Sequence, residues 1–91
     1  MTVQSVRDAI ADINSYAVVF DNPSFDNSII GISVDGEVVY SLSKMIEELS
    51  NDDNISLDDA YEFIDYNTIR LLPYIGQYRP VIVDDSLLGT I

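Results

Sequence analysis

Apolar residues along this chain follow two rhythms. Val3, Val6, Ile10 and Ile13 recur at steps of three and four, the spacing of a helix that buries one stripe. Arg7, Asp8 and Asp12 fall elsewhere on the wheel, Thr2 offers a capping hydroxyl, and Asn14-Ser15 ends the run. Ala17 to Phe20 is a short apolar segment with the length of a strand, followed by turn residues from Asp21 to Ser24. Ile29 to Val34 and Glu37 to Tyr40 are β-branched runs separated by Asp35-Gly36. That dipeptide predicts a hairpin with a type I′ turn, because both central positions then need positive φ. Ile30, Ile32 and Val34 would share one face, and Gly31 marks a bulge or a close approach.

The helical rhythm then returns. Leu42, Met45, Ile46 and Leu49 predict a helix over about 42–50, capped by Ser41 or Ser43, with Glu47 and Glu48 facing out. Ser50 to Asn54 reads as a polar break. Ser56-Leu57-Asp58-Asp59 has the spacing of a capping box and opens a second helix, which Pro73 limits to about residue 71. Leu57, Ala60, Tyr61 and Ile64 form its expected inward face, while Asp58, Glu62 and Asp65 make an outward ridge. Pro80 starts a final strand, Val81-Ile82-Val83, which suits a sheet edge. Asp84 and Asp85 close it, and residues 86–91 are expected to fray. The order predicts one α+β domain over 1–91: a small antiparallel sheet of about three strands packed against two or three helices.

Composition narrows the function. An apolar fraction of 47% is that of a folded protein rather than a disordered acidic tail. Cysteine and histidine are absent, which removes disulfides, thiolate metal sites and the commonest general base. No P-loop, GxGxxG or GxSxG motif occurs. The expectation is therefore a binding protein, not an enzyme, with no cofactor. The N-terminus lacks the basic start and apolar run of a signal peptide, and no apolar stretch approaches the roughly 20 residues of a membrane span. A cytoplasmic location is expected.

Charge changes the picture most. Sixteen acids face four bases, for a net charge of −12. Such a field repels nucleic acid and anionic membranes and attracts basic surfaces. Half of the acids, Glu47, Glu48, Asp52, Asp53, Asp58, Asp59, Glu62 and Asp65, lie in one 19-residue stretch with no Lys or Arg. Like charges so close repel one another. They are the candidate partner-binding residues: carboxylates spaced along a ridge suit a basic groove built for phosphates. The plainer reading is a solvated helix face beside a polar loop. Asn51, Asp52, Asp53, Asn54, Asp58 and Asp59 offer oxygens for Ca²⁺, but no register supplies the alternating ligands, Gly and Glu of an EF-hand loop; no metal site is assigned.

Tyr66, Asn67, Thr68 and Arg70 are expected to act structurally, by satisfying a helix end and by stacking or pairing Arg70. Tyr74 and Tyr78, in the loop after Pro73, are secondary contact candidates.

The blocks Phe20-Asp21-Asn22-Pro23, Asp26 to Gly31 and, above all, Ala60 to Tyr74 (AYEFIDYNTIRLLPY) resemble a family of small uncharacterised acidic proteins of phages, prophages and other mobile elements. The resemblance spans roughly two-thirds of the chain. It implies a mobile-element context and carries no catalytic assignment. Together with the charge, it leads to an expected inhibitor of a host nucleic-acid-processing complex: a nucleic-acid mimic of anti-CRISPR type that binds a basic protein surface, with neither nucleic acid nor membrane as a direct partner. The alternative is an assembly or regulatory adaptor that binds protein through an apolar tyrosine patch, or forms homodimers through its first helix.

Overall fold

The computed structural model describes residues 3–21 and 23–85, with residues 3–5 as backbone alone. The order is α1 (Val3–Ile13), a 3-10 turn (Asp26–Ser28), β1 (Ile29–Ile32), β2 (Val38–Ser41), α2 (Leu42–Asp53), α3 (Leu57–Asn67), a 3-10 helix (Ile69–Tyr74) and β3 (Val81–Val83). This is the expected α+β class. The Thr2 cap, the Val3 side chain and residues 86–91 lie outside the described residues.

The sheet has the order β1-β2-β3. The hairpin pair is antiparallel, but β2 and β3 run parallel, with Val39 opposite Val81 and Ser41 opposite Val83. The sheet is thus mixed rather than wholly antiparallel. The physical reason is the connection: the chain from Leu42 to Pro80 forms two helices and a 3-10 segment, a crossover long enough to return the strand to the same end of the sheet. β3 takes the edge, where Pro80 costs no ladder bond.

The hairpin differs in detail from the sequence reading. Gly36 has φ +89°, while Asp35 is not among the positive-φ residues, so the turn is not type I′. The Gly36 N–H donates to Ser33 O at 2.9 Å and the Ser33 N–H to Glu37 O at 2.7 Å, a longer turn closed by one left-handed glycine. A side chain at position 36 would also meet Asn14 Nδ2 at 2.7 Å. That amide instead donates to Gly36 O at 2.9 Å and ties the end of α1 to the turn. In β1, Ile29 pairs with Tyr40 and Gly31 with Val39, so Ile30 is the extra residue of a bulge. The bulge resets the alternation. Ile29 and Ile32 pack on the core, while Ile30 and Val34, expected to share a face with Ile32, are exposed.

Ala17–Phe20 packs on the core without becoming a strand. Its donors go elsewhere: the Val18 N–H to Tyr78 O at 3.2 Å, and the Phe20 N–H to the Tyr40 hydroxyl oxygen at 3.1 Å. A loop carbonyl and a phenol cannot continue a ladder.

The core holds Ile10, Phe25, Val38, Tyr40, Leu42, Met45, Leu49, Ala60 and Ile64. Tyr40 touches Phe20 (4.8 Å between ring centres), which meets Phe25 edge-on at 6.2 Å. Among the described side chains of the α1 stripe, Val6 is half-buried, Ile10 buried, and Ile13, at the last helical position, exposed. Arg7 does not lie in solvent as its wheel position suggests. It donates to both Asp26 carboxylate oxygens (Nε 2.7 Å, Nη2 2.9 Å) and to Phe20 O at 2.8 Å. With the Asp26 side chain only 6% exposed, this forked pair satisfies a buried charge and fastens α1 to the 3-10 turn.

α2 begins as expected, with Ser41 Oγ accepting from the Lys44 N–H at 3.2 Å. It runs on through the predicted polar break to Asp53, because Asn54 takes the left-handed conformation (φ 55°) that ends helices. α3 starts at the Ser56 cap, whose Oγ accepts from the Asp59 N–H at 3.0 Å. It stops at Asn67, short of residue 71. The chain tightens into a 3-10 helix that contains Pro73, whose missing N–H and bulky ring disfavour a continued α-helix.

Candidate partner-binding face

Helix geometry, at 100° per residue, sorts the eight acids of the Glu47–Asp65 stretch. On α3, Ala60 and Ile64 are fully buried. Asp58, Asp59, Glu62 and Asp65 occupy the opposite arc, about 120° wide. Asp58, Asp59 and Glu62 are exposed and Asp65 half-exposed. These four share one outward face.

The α2 acids do not join them in one ridge. Glu47 lies on the outward face of α2 and is exposed. Glu48, expected to face out, turns toward the 3-10 turn and accepts from Ser28 Oγ at 3.1 Å. Burial pushes its carboxyl above the usual range, the serine bond opposes this, and nearby Asp52 and Asp26 add to the rise. Glu48 and Asp52, one turn apart, therefore sit on the α2 flank that packs on Asp26–Ser28. Asp53 ends the helix, exposed. The correction is physical: α2 is packed on two flanks, so its polar residues cannot all project one way.

Cations do little to neutralise the α3 face. Arg7 is engaged by Asp26, while Lys44 on α2 and Arg79 are exposed. Arg70 lies beside α3. Its Nη2 is 3.5 Å from Asp65 Oδ2, and its guanidinium sits 5.3 Å from the centre of the Tyr66 ring. This is the stacking and pairing expected for Arg70. Asn67 Nδ2 donates to Phe63 O at 3.1 Å, as expected at a helix end, whereas Thr68 is buried and makes no side-chain capping bond to the 3-10 helix it precedes.

A shallow depression of about 500 Å³ overlies this face, its lining including Asp59, Glu62, Phe63, Tyr66 and Arg70. Residues 59, 62, 63 and 66 follow the i, i+3, i+4, i+7 spacing of one helical stripe. Sequence reasoning assigned Phe63 no role, although this spacing from Asp59 places it beside Glu62. A second groove of about 410 Å³ lies between the first turns of α2 and α3. It is lined by Leu42, Ser43, Ile46, Leu57, Asp58, Tyr61 and Asp84. Leu57 and Tyr61, expected in the core, line this open groove and stay exposed. They sit to the side of Ala60 and Ile64, not behind them.

The two secondary candidates part company. Tyr74 is 85% exposed, whereas Tyr78 is half-buried in a left-handed conformation (φ 58°) with its carbonyl bonded to Val18. Among the described residues no group of three or more carboxylates is arranged to hold a metal ion, and no helix is long and apolar enough to cross a membrane. Compared with protein-family models, curated proteins and solved structures, the chain matches none of them.

Proposed function

We propose that this chain is a mobile-element binding protein that inhibits a host nucleic-acid-processing complex in the host cytoplasm, by presenting carboxylates where that complex expects phosphates. It acts by occupancy rather than by catalysis, in the manner of an anti-CRISPR. The observation that supports this most is the α3 arc. Asp58 and Asp65 are seven residues apart, or about 10 Å along the axis. With Asp59 and Glu62 between them, the axial steps are about 1.5, 4.5 and 4.5 Å, uneven but with a mean close to the roughly 3.4 Å per phosphate along one DNA strand. Negative potential at this pitch steers a cationic groove toward the helix and excludes nucleic acid itself. Of the eight candidate contacts, Asp58, Asp59, Glu62 and Asp65 carry the reading, with Glu47, Asp52 and Asp53 at its margin and Glu48 turned inward.

The test is capture from host lysate. The chain is expected to retain a nuclease or other nucleic-acid-binding complex, to release it as salt rises, and to compete with DNA or RNA for it. Replacing Asp58, Glu62 and Asp65 together by Asn, Gln and Asn is expected to abolish capture. Undiminished capture by that triple variant sinks the mimic.

One observation favours a second reading. Leu71, Tyr74 and Ile75 form an exposed apolar strip on the 3-10 helix and its end, the kind of patch by which an adaptor holds a protein partner. Binding of that kind would be nearly indifferent to salt and would weaken on Tyr74→Ala.

A further inference from the structure

We infer that the α3 face recognises arginine in particular: its stripe of Asp59, Glu62, Phe63 and Tyr66 seats guanidinium groups of an arginine-rich segment of the partner protein. The inference rests on the reading of α3 as a partner-binding face and goes beyond it, because a pure phosphate mimic would take lysine and arginine alike.

Three observations carry it. The first is the mixture of chemistries. Carboxylates alone attract any cation, but the α3 stripe places the Phe63 and Tyr66 rings beside Asp59 and Glu62, around one depression. Tyr66 is 67% exposed, so much of its ring is open to a ligand. A planar guanidinium can lie on a ring while its N–H groups reach a carboxylate, whereas an ammonium is a compact, strongly hydrated charge.

The second is that the chain already performs this recognition on itself. Arg70 stacks on Tyr66 at 5.3 Å and reaches Asp65 at 3.5 Å. The ring and an adjacent carboxylate thus hold a guanidinium in the free protein. The hold is loose, since the Arg70–Asp65 hydrogen bond is long at 3.5 Å and the Arg70 side chain is 63% exposed. Arg70 covers one side of the ring and leaves Asp59, Glu62 and Phe63 open.

The third is charge complementarity. A net charge of −12, with four acids on this arc and Arg70 the one cation lining the depression, selects a cationic occupant.

The experiment uses the full chain and two synthetic peptides of alternating sequence, one Gly-Arg and one Gly-Lys, of equal length and charge. Binding is followed by amide chemical shifts and by titration at low and at moderate salt. The arginine peptide is expected to shift amides from Asp59 to Arg70 and to bind at least about twofold more tightly than the lysine peptide. Tyr66→Leu with Phe63→Leu is expected to erase the preference while leaving salt-dependent binding of both peptides. Both rings are exposed, so the double variant should keep its fold, and the dispersion of its spectrum checks this. Arg70→Ala is expected to tighten the arginine peptide by removing the internal competitor. Equal affinity for the two peptides, or a preference that survives loss of both rings, overturns the inference and leaves the acidic-arc reading standing. Binding of neither peptide overturns it as well, and capture by the Asp58, Glu62 and Asp65 variant then decides the mimic separately.

Discussion

Glu48 and Asp26 show how two carboxylates beside the same 3-10 turn take opposite roles. Asp26 is buried but bonded through both oxygens to Arg7, so its charge is compensated. Glu48 is half-buried, and among the described residues the Ser28 hydroxyl is its hydrogen-bond partner. Its folded pKa is raised, so the protonated form stabilises the fold and the contribution is lost as pH rises. At neutral pH the ionised group works against folding. Glu48→Gln keeps an oxygen for Ser28 and removes the repulsion from Asp52 and Asp26. It is expected to stabilise the fold at pH 7 by a few tenths of a kcal/mol, read as a higher urea midpoint. The advantage should shrink as pH falls through the ordinary carboxylate range. A midpoint below wild type at pH 7 would refute the sign. Neither role was visible in the sequence, because both depend on contacts about 20 residues away, which no local pattern encodes. That Arg70 would stack or pair was legible, because Asp65 and Tyr66 lie only five and four residues before it in the chain.

Elements were legible where chemistry is local and less so where it is not. The Ser41 and Ser56 caps, the Gly31 bulge and the Pro80 edge follow from single-residue preferences. The direction of β3 does not, since its three residues fit either sense and the intervening crossover decides. That crossover also sets a cap that the sequence hid. Beyond β3, Asp85 accepts from Ser41 Oγ at 2.6 Å and from the Ser43 N–H at 3.1 Å, supplying a carboxylate to the first turn of α2. The Ser41 bond, reinforced by Ser43, holds the Asp85 carboxyl down from 3.8 to about 2. A lowered folded pKa means the stabilisation is full above the unfolded value and disappears as pH falls through about 2. Asp85→Asn is therefore expected to lower the urea midpoint at neutral pH, and the gap to wild type should close on acidification below pH 3.8. A constant gap across that range would assign the loss to shape rather than charge.

At the scale of the molecule, the acidity is a liability to the fold whatever its use. Sixteen acids against four bases on one small core repel throughout. Raising NaCl from about 20 mM to about 0.5 M shortens the screening length from roughly 20 Å to roughly 4 Å. The melting temperature is expected to rise by about 5 °C. Calorimetry checks this, and an unchanged value would mean that the carboxylates scarcely feel each other. The same screening weakens the proposed contact with a basic partner, so salt should stabilise the protein while it loosens the complex.

The parallel pairing of β2 with β3 imposes an order on assembly. The hairpin, α2 and α3 all precede Val81 in the chain, and until β3 docks the middle strand of the sheet has one unpaired side. A released chain cut after Pro80 is a half-closed sheet with an adhesive edge, and docking of the segment from Val81 to Asp85 both seals that edge and locks the start of α2.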